Sequence, residues 1–298
     1  MIAAMRPLSP ALVVVGHGSR SPSWVAAFDD FVAEVSRTPG LRDVFASVTG
    51  AYLENAAPAL ADAVESQLAL GVSEVVVVPV FLTASTHLSE DVPGILALPG
   101  TAPHIARRLQ GEGVRVLPAG LPVKLAHLRD LRTLLHLNIS RRLALACRDP
   151  AHEAVVLVGY GSAIHHEEWE ALMHGVRTDL LTDGWSATEH GYCGHVVPSA
   201  PQATADAITA AARQAGVRRV HVKSLLLAPS GLQTGPIAAG VEIARAHLQK
   251  RQVEVLFDGD AILPDGDLAL HAGHAALHAQ GITPPFANIT LRKIANDA

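Results

Sequence analysis

Leu12–Ser19 reads LVVVGHGS and Val155–Ser162 reads VVLVGYGS; Gly71–Ser85 reads GVSEVVVVPVFLTAS and Gly216–Ser230 reads GVRRVHVKSLLLAPS. The first pair is offset by 143 residues and the second by 145, in the same order along the chain. Two matches at nearly one spacing identify a duplicated unit of about 145 residues, an ordinary domain size. The halves meet near residues 147–153, which sets the expected domains at 1–147 and 148–298.

Each quoted run is a short, continuous stretch of β-branched residues with no polar face, as in a strand covered on both sides. In the first half the expected strands are Ala11–Val15, Val44–Tyr52, Glu74–Phe81 and Val114–Leu117. Trp24, Ala27, Phe28, Phe31, Val32 and Val35 fall at helical spacing between the first two, leaving Asp29, Asp30 and Glu34 for solvent. Leu60, Ala63, Val64 and Leu68 repeat the pattern before Gly71. The second half offers Trp169, Leu172, Met173 and Val176, then a strand at Val220–Leu227, a helix at Ile237–Leu248 and a strand at Val253–Phe257. Alternating strands and helices predict an α/β fold: two duplicated, doubly wound parallel-sheet domains of flavodoxin-like type, related by pseudo-two-fold symmetry. Ligands of such sheets bind beyond the carboxyl ends of the strands.

Composition narrows the function. The chain of 298 residues is 49% hydrophobic and 17% charged, which argues for packed cores and against disorder. No apolar stretch approaches a membrane span, and the first ten residues lack a secretory apolar core, so a cytoplasmic protein off the membrane is expected. Cys147 and Cys193 form no metal or disulfide pattern and fit a reducing compartment. A net charge of −5 with 4% aromatics disfavours nucleic acid as a partner. The sixteen histidines stand out, because imidazole both binds metals and exchanges protons near neutrality.

Two of them occupy strand ends. His17 follows the first strand in Gly16-His17-Gly18-Ser19-Arg20, and His87 follows the third in Thr83-Ala84-Ser85-Thr86-His87. First and third strands are commonly neighbours in this architecture, so the two imidazoles are expected side by side. Glu54 follows the second strand, where a helix-opening carboxylate and a metal ligand are equally good readings. Two imidazoles and a carboxylate suit a divalent transition metal with open positions. The repeat supplies a control: Tyr160 stands at the place of His17, Leu232 at that of His87, and the segment opposite Glu54, around Val196 to Ser199, carries no carboxylate. The scaffold is built twice and the ligand set once.

At these residues the chain resembles the class II tetrapyrrole chelatases, most closely sirohydrochlorin chelatases of the CbiX or SirB type in their long, two-domain form. The matching pieces are VVVGHGSR (Val13–Arg20), AYLENAAPAL (Ala51–Leu60) and VVVVPVFLTASTHLSEDVP (Val75–Pro93). The resemblance implies insertion of Co2+, Fe2+ or sometimes Ni2+ into a tetrapyrrole, with metal as substrate and no permanently bound cofactor. It implies that His17 and His87 hold the metal and accept pyrrole protons, and that Glu54 is a third ligand. Ala119-Gly120-Leu121-Pro122 departs from it, lacking a histidine expected after the fourth strand. For a substrate bearing eight carboxylates, Ser19, Arg20, Ser85, Thr86 and the helix-start amides near Ser21 and Thr86–Ser89 are the expected contacts, with Arg107, Arg108 and Lys124 at the rim. The product implied lies in cobalamin or siroheme biosynthesis, the chain being a monomer whose two domains form the cleft. A chelatase for another tetrapyrrole, and a metal or tetrapyrrole carrier without turnover, are the alternatives. His165-His166 with Glu167-Glu168, the group His190, Cys193 and His195, and the helical stripe His271, His274 and His278 match no metal signature and are expected to be solvated.

Overall fold

The computed structural model describes residues 9–194 and 200–283. Its first half runs β1 (Ala11–Gly16), α1 (Pro22–Val35), α2 (Leu41–Val44), β2 (Ser47–Tyr52), α3 (Leu60–Ala69), β3 (Val75–Pro79), α4 (Val92–Ile95), α5 (Pro103–Gly111), β4 (Val123–Leu125) and α6 (Leu131–Ala144). The second runs β5 (Glu153–Gly159), α7 (His166–Thr182), β6 (Ala187–Tyr192), α8 (Ala200–Ala212), β7 (Arg219–Leu225), α9 (Ala238–Leu248), β8 (Glu254–Leu256) and α10 (Gly266–Ala279). The sheets are ordered β2-β1-β3-β4 and β6-β5-β7-β8, with every pairing parallel. β1 and β3 are therefore neighbours, and their apolar runs are buried throughout because helices cover both faces.

The halves trade their last helices. α6 packs on α7 and β7, where Asn138 Nδ2 donates to the Ile262 carbonyl at 3.0 Å and Arg132 Nε reaches Asp179 at 2.8 Å. α10 lies on α1 and β3, and Gln280 donates to Glu74 at 2.8 Å. Close approach is enforced at Gly273, where a Cβ would stand 2.2 Å from the Thr38 hydroxyl. One continuous apolar core, from Leu12, Phe28 and Val76 to Leu157, Trp169 and Leu268, consequently spans both sheets.

Two expectations are corrected. Val114–Leu117 is not a strand: Leu117 N–H donates to the Ile95 carbonyl, and Arg115 turns to Asp62 and Glu65 on α3. The edge of the sheet belongs to Val123–Leu125, paired to β3 from Val75↔Val123 onward. The His271 stripe is solvated only in part: His278 is exposed, and His271 and His274 are half-buried. α10 is wedged against α1, and burial pushes the imidazoles of His271 and His274 below their ordinary value.

Candidate active site

β1, β2 and β3 end at one edge of the first sheet, and the turns after them bring His17, Glu54 and His87 together. Their ligand atoms all lie within 4.8 Å of one another, the only such His, Cys, Asp and Glu group among the described residues. His17 Nε2 is 3.3 Å from Glu54 Oε1, and the two imidazoles meet edge to face with centroids 4.8 Å apart. Two glycines make this junction. Gly18 has φ +91°, and a Cβ there would stand 1.8 Å from the Glu54 carbonyl oxygen. At Gly16 a Cβ would stand 2.8 Å from the Phe28 ring.

Hydrogen bonds fix which nitrogen each imidazole offers. His17 Nδ1 is 2.9 Å from the Gly18 carbonyl, which can only accept, so Nδ1 is the donor there and Nε2 is the nitrogen turned toward Glu54. His87 Nδ1 is 2.6 Å from Asp91 Oδ2. Burial opposes ionisation of Asp91, yet the hydrogen bonds from His87 and Arg108 hold its carboxyl below the usual range. The carboxylate accepts, so His87 also presents Nε2. Arg108 Nη2 reaches Asp91 Oδ1 at 2.5 Å and completes a relay from α5 through the π-helical turn His87–Asp91. A carboxylate behind a ligand imidazole fixes its tautomer and orientation and raises its basicity. Phe81 stacks on the His87 ring at 6.2 Å. On the other flank Asn55, at φ 61°, donates to Glu54 Oε2 at 3.1 Å and accepts from Arg20 Nε at 3.2 Å.

His17, Glu54 and His87, with Phe81, Asn55 and Arg20, line a cleft of about 870 Å³ between the halves. Ser19, Arg20, Ser85 and Thr86 line it as expected, although Ser19 Oγ accepts from the Ser21 amide at 3.0 Å and Ser85 Oγ from the Leu88 amide at 3.3 Å. Those bonds, with that of the Ser89 amide to the Ser85 carbonyl, occupy amides expected to receive anions. The rim cations are corrected too. Arg108 is committed to Asp91, Glu90 and Glu112, Lys124 to Glu74, and neither they nor Arg107 line the cleft.

In the second half Leu53 N–H to Gly16 and Glu54 N–H to His17 have their counterparts in Cys193 N–H to Gly159 and Gly194 N–H to Tyr160. The residue opposite Glu54 is therefore Gly194, not one of Val196–Ser199, which lie outside the described residues. A Cβ at Gly194 would stand 2.4 Å from the Tyr160 carbonyl and 3.1 Å from its ring, so the tyrosine fills the space a carboxylate would need. Leu88 and Gln233 N–H donate to Ser85 and Ser230 carbonyls alike, which sets Leu232 opposite His87.

Two histidines of the second half have partners of their own. His165 pairs with Glu168 at 3.5 Å. His190 lies between Glu170 at 3.0 Å and Arg177 at 2.9 Å, not in solvent. Cys193 is buried in the second half's apolar core and its thiol is pushed up to about 12, while His195 lies outside the described residues.

Comparison with known proteins shows what the chain resembles. Residues 11–119 match the CbiX family model. A sirohydrochlorin cobaltochelatase of Methanosarcina acetivorans is 33% identical over 90 residues, 29% of this chain and 64% of that protein, so the match spans under two thirds of the relative. SirB from Bacillus subtilis with Fe3+ superposes with TM-score 0.60 at 18% identity, covering 92% of this chain and 98% of that one. The cobalt complex of the sirohydrochlorin chelatase SirB from B. subtilis subspecies spizizenii gives TM-score 0.56 at 18% identity, over 91% and 94%. Residues 11–119 are thus similar to the CbiX family, and the chain as a whole shares the two-domain fold of the SirB structures.

Proposed function

We propose that this chain inserts Co2+ or Fe2+ into sirohydrochlorin, with 1–147 as the catalytic half and 148–298 as the opposite wall of the cleft. The observation that carries the reading is that His17, His87 and Glu54 line one cleft with their ligand atoms within 4.8 Å of one another, while both Nδ1 atoms are engaged with acceptors outside that group. Metallation must strip water from the ion and remove two pyrrole protons. Nitrogen ligands of borderline softness hold such a metal without the permanence of a thiolate cage. The metal is substrate, held by His17, His87 and Glu54 in an incomplete set that leaves positions open for the macrocycle.

As the ion passes from imidazole to pyrrole nitrogen, each Nε2 lone pair is released and takes up the proton that the pyrrole loses. Asp91 favours the imidazolium formed on His87 through the Nδ1–H bond. Glu54, half exposed, passes protons to solvent. Arg20 uses its Nε on Asn55 and keeps its terminal nitrogens for a substrate carboxylate. The products implied feed cobalamin or siroheme synthesis in the cytoplasm, and the duplicated chain acts as a monomer because it carries both walls of the cleft.

The test is spectrophotometric: sirohydrochlorin with Co2+ or Fe2+ is followed anaerobically with and without protein. Turnover above the spontaneous rate, lost in His17→Ala and His87→Ala, supports the reading. Stoichiometric binding without acceleration makes the chain a carrier.

A further inference from the structure

We infer that Ile164 and Leu232 form a platform for the far face of the macrocycle, so that the tetrapyrrole is sandwiched with one face turned to His17 and His87. The inference rests on the chelatase reading and states how that site takes its substrate.

The cleft is chemically divided. Its first-half wall carries the metal-binding atoms; the second-half positions that match them are Tyr160, Gly194 and Leu232, of which Tyr160 and Leu232 line the opposite wall. Leu232 stands where His87 stands in the other half, and both line the cleft. Ile164 lines the same wall at 79% exposure in the turn before α7. The turn does not need it: the structural bond there is from the His165 amide to Ser162 Oγ, at 3.1 Å. A β-branched apolar side chain held in water at the mouth of a cleft is satisfied when a ligand covers it.

A tetrapyrrole has broad apolar faces and places its carboxylates at the edge. Arg20 is the only Lys or Arg among the cleft's described lining residues, which suits a ligand whose charges leave through the rim while its face meets hydrocarbon. Tyr160 adds no charge to that wall. Burial raises its phenol, which stays protonated near neutral pH. An ion delivered from the histidine wall then enters from one side, against a backed macrocycle.

Trp24 and Trp169 line the cleft and report occupancy by fluorescence quenching with metal-free sirohydrochlorin. Ile164→Asp is expected to weaken sirohydrochlorin binding about tenfold or more and to raise its KM in proportion, from the area an isoleucine buries. Ile164→Val should stay within about twofold of the parent, and Co2+ affinity should be unchanged in both. Leu232→Gln should show the same split between tetrapyrrole and metal. Equal sirohydrochlorin affinity in the parent, Ile164→Asp and Leu232→Gln proteins overturns the platform. If the parent binds sirohydrochlorin without accelerating metallation, the enzymatic reading fails while an affinity loss in the variants still upholds the platform.

Discussion

Replacing Asp91 by asparagine tests whether the site depends on the relay behind His87. The carboxylate is 12% exposed and bridges His87 Nδ1 at 2.6 Å and Arg108 Nη2 at 2.5 Å. An amide keeps the shape but loses the charge, and its NH2 turned toward the ring would favour the tautomer with the proton on Nε2. That tautomer offers the cleft no lone pair. A hydrogen bond to a charged partner is worth about 1.5–3 kcal/mol, equivalent to about 10- to 150-fold. Loss of the carboxylate behind a ligand histidine typically costs about 10- to 100-fold in metal affinity or activity. Asp91→Asn should therefore lower kcat/KM for metallation, and Co2+ affinity, by about 10- to 100-fold. The assay pairs initial rates from the sirohydrochlorin spectrum with a Co2+ titration. Arg108→Gln is the control: it loosens the same buried carboxylate but leaves the His87–Asp91 bond, so it should cost comparable stability and much less rate. Asp91→Asn activity within twofold of the parent would refute the relay.

Three further outcomes are expected. His17→Ala and His87→Ala should each reduce metallation by about 10²–10⁴-fold, with Glu54→Gln milder, in the same rate assay. Gly18→Ala meets the Glu54 carbonyl at 1.8 Å and a φ of +91°; strain of about 1–3 kcal/mol should lower the melting temperature and displace Glu54, and a variant with parental stability and rate would contradict the junction described. Burial, the largest cause, lowers the imidazoles of His221, His271 and His274 from 6.5. The unfolded chain then takes up protons that the folded chain refuses, so stability should fall as pH drops below about 6.5 toward the folded values. Urea midpoints at pH 7.5 and 5.5 should show the drop, with a shallower slope in His274→Gln.

What could be read without coordinates follows from how local each signal is. VVVVPVF declares a doubly covered strand because nothing in it suits water. Val114–Leu117 looks equally strand-like, and only Arg115's attachment to α3 removes it from the sheet. β7 hides the opposite surprise: Arg219, His221 and Lys223 alternate along a fully buried strand, and their partners Glu153, Glu254, Asp258 and Asp260 come from other segments. His17 and His87 were legible because the repeat offers Tyr160 and Leu232 for comparison. The counterpart of Glu54 lies a few residues before the place the repeat's spacing points to, since the spacing between halves shortens before Gly194. Asp91 is visible as the acidic residue of His-x-x-x-Asp-x-Pro, four residues from His87 on one helical face, while its bond to the ring is seen only in the folded turn. Arg108 lies 17 residues from Asp91 and meets it only through folding.

The central claim is that His17 and His87 work as a pair on a metal bound for a tetrapyrrole. It is tested most directly by the rate of Co2+ insertion into sirohydrochlorin by the parent, the two single alanine variants and the double variant. If the histidines act as one unit, each single variant falls nearly to the level of the double and all three approach the spontaneous rate. Parental rates in either single variant would contradict the account.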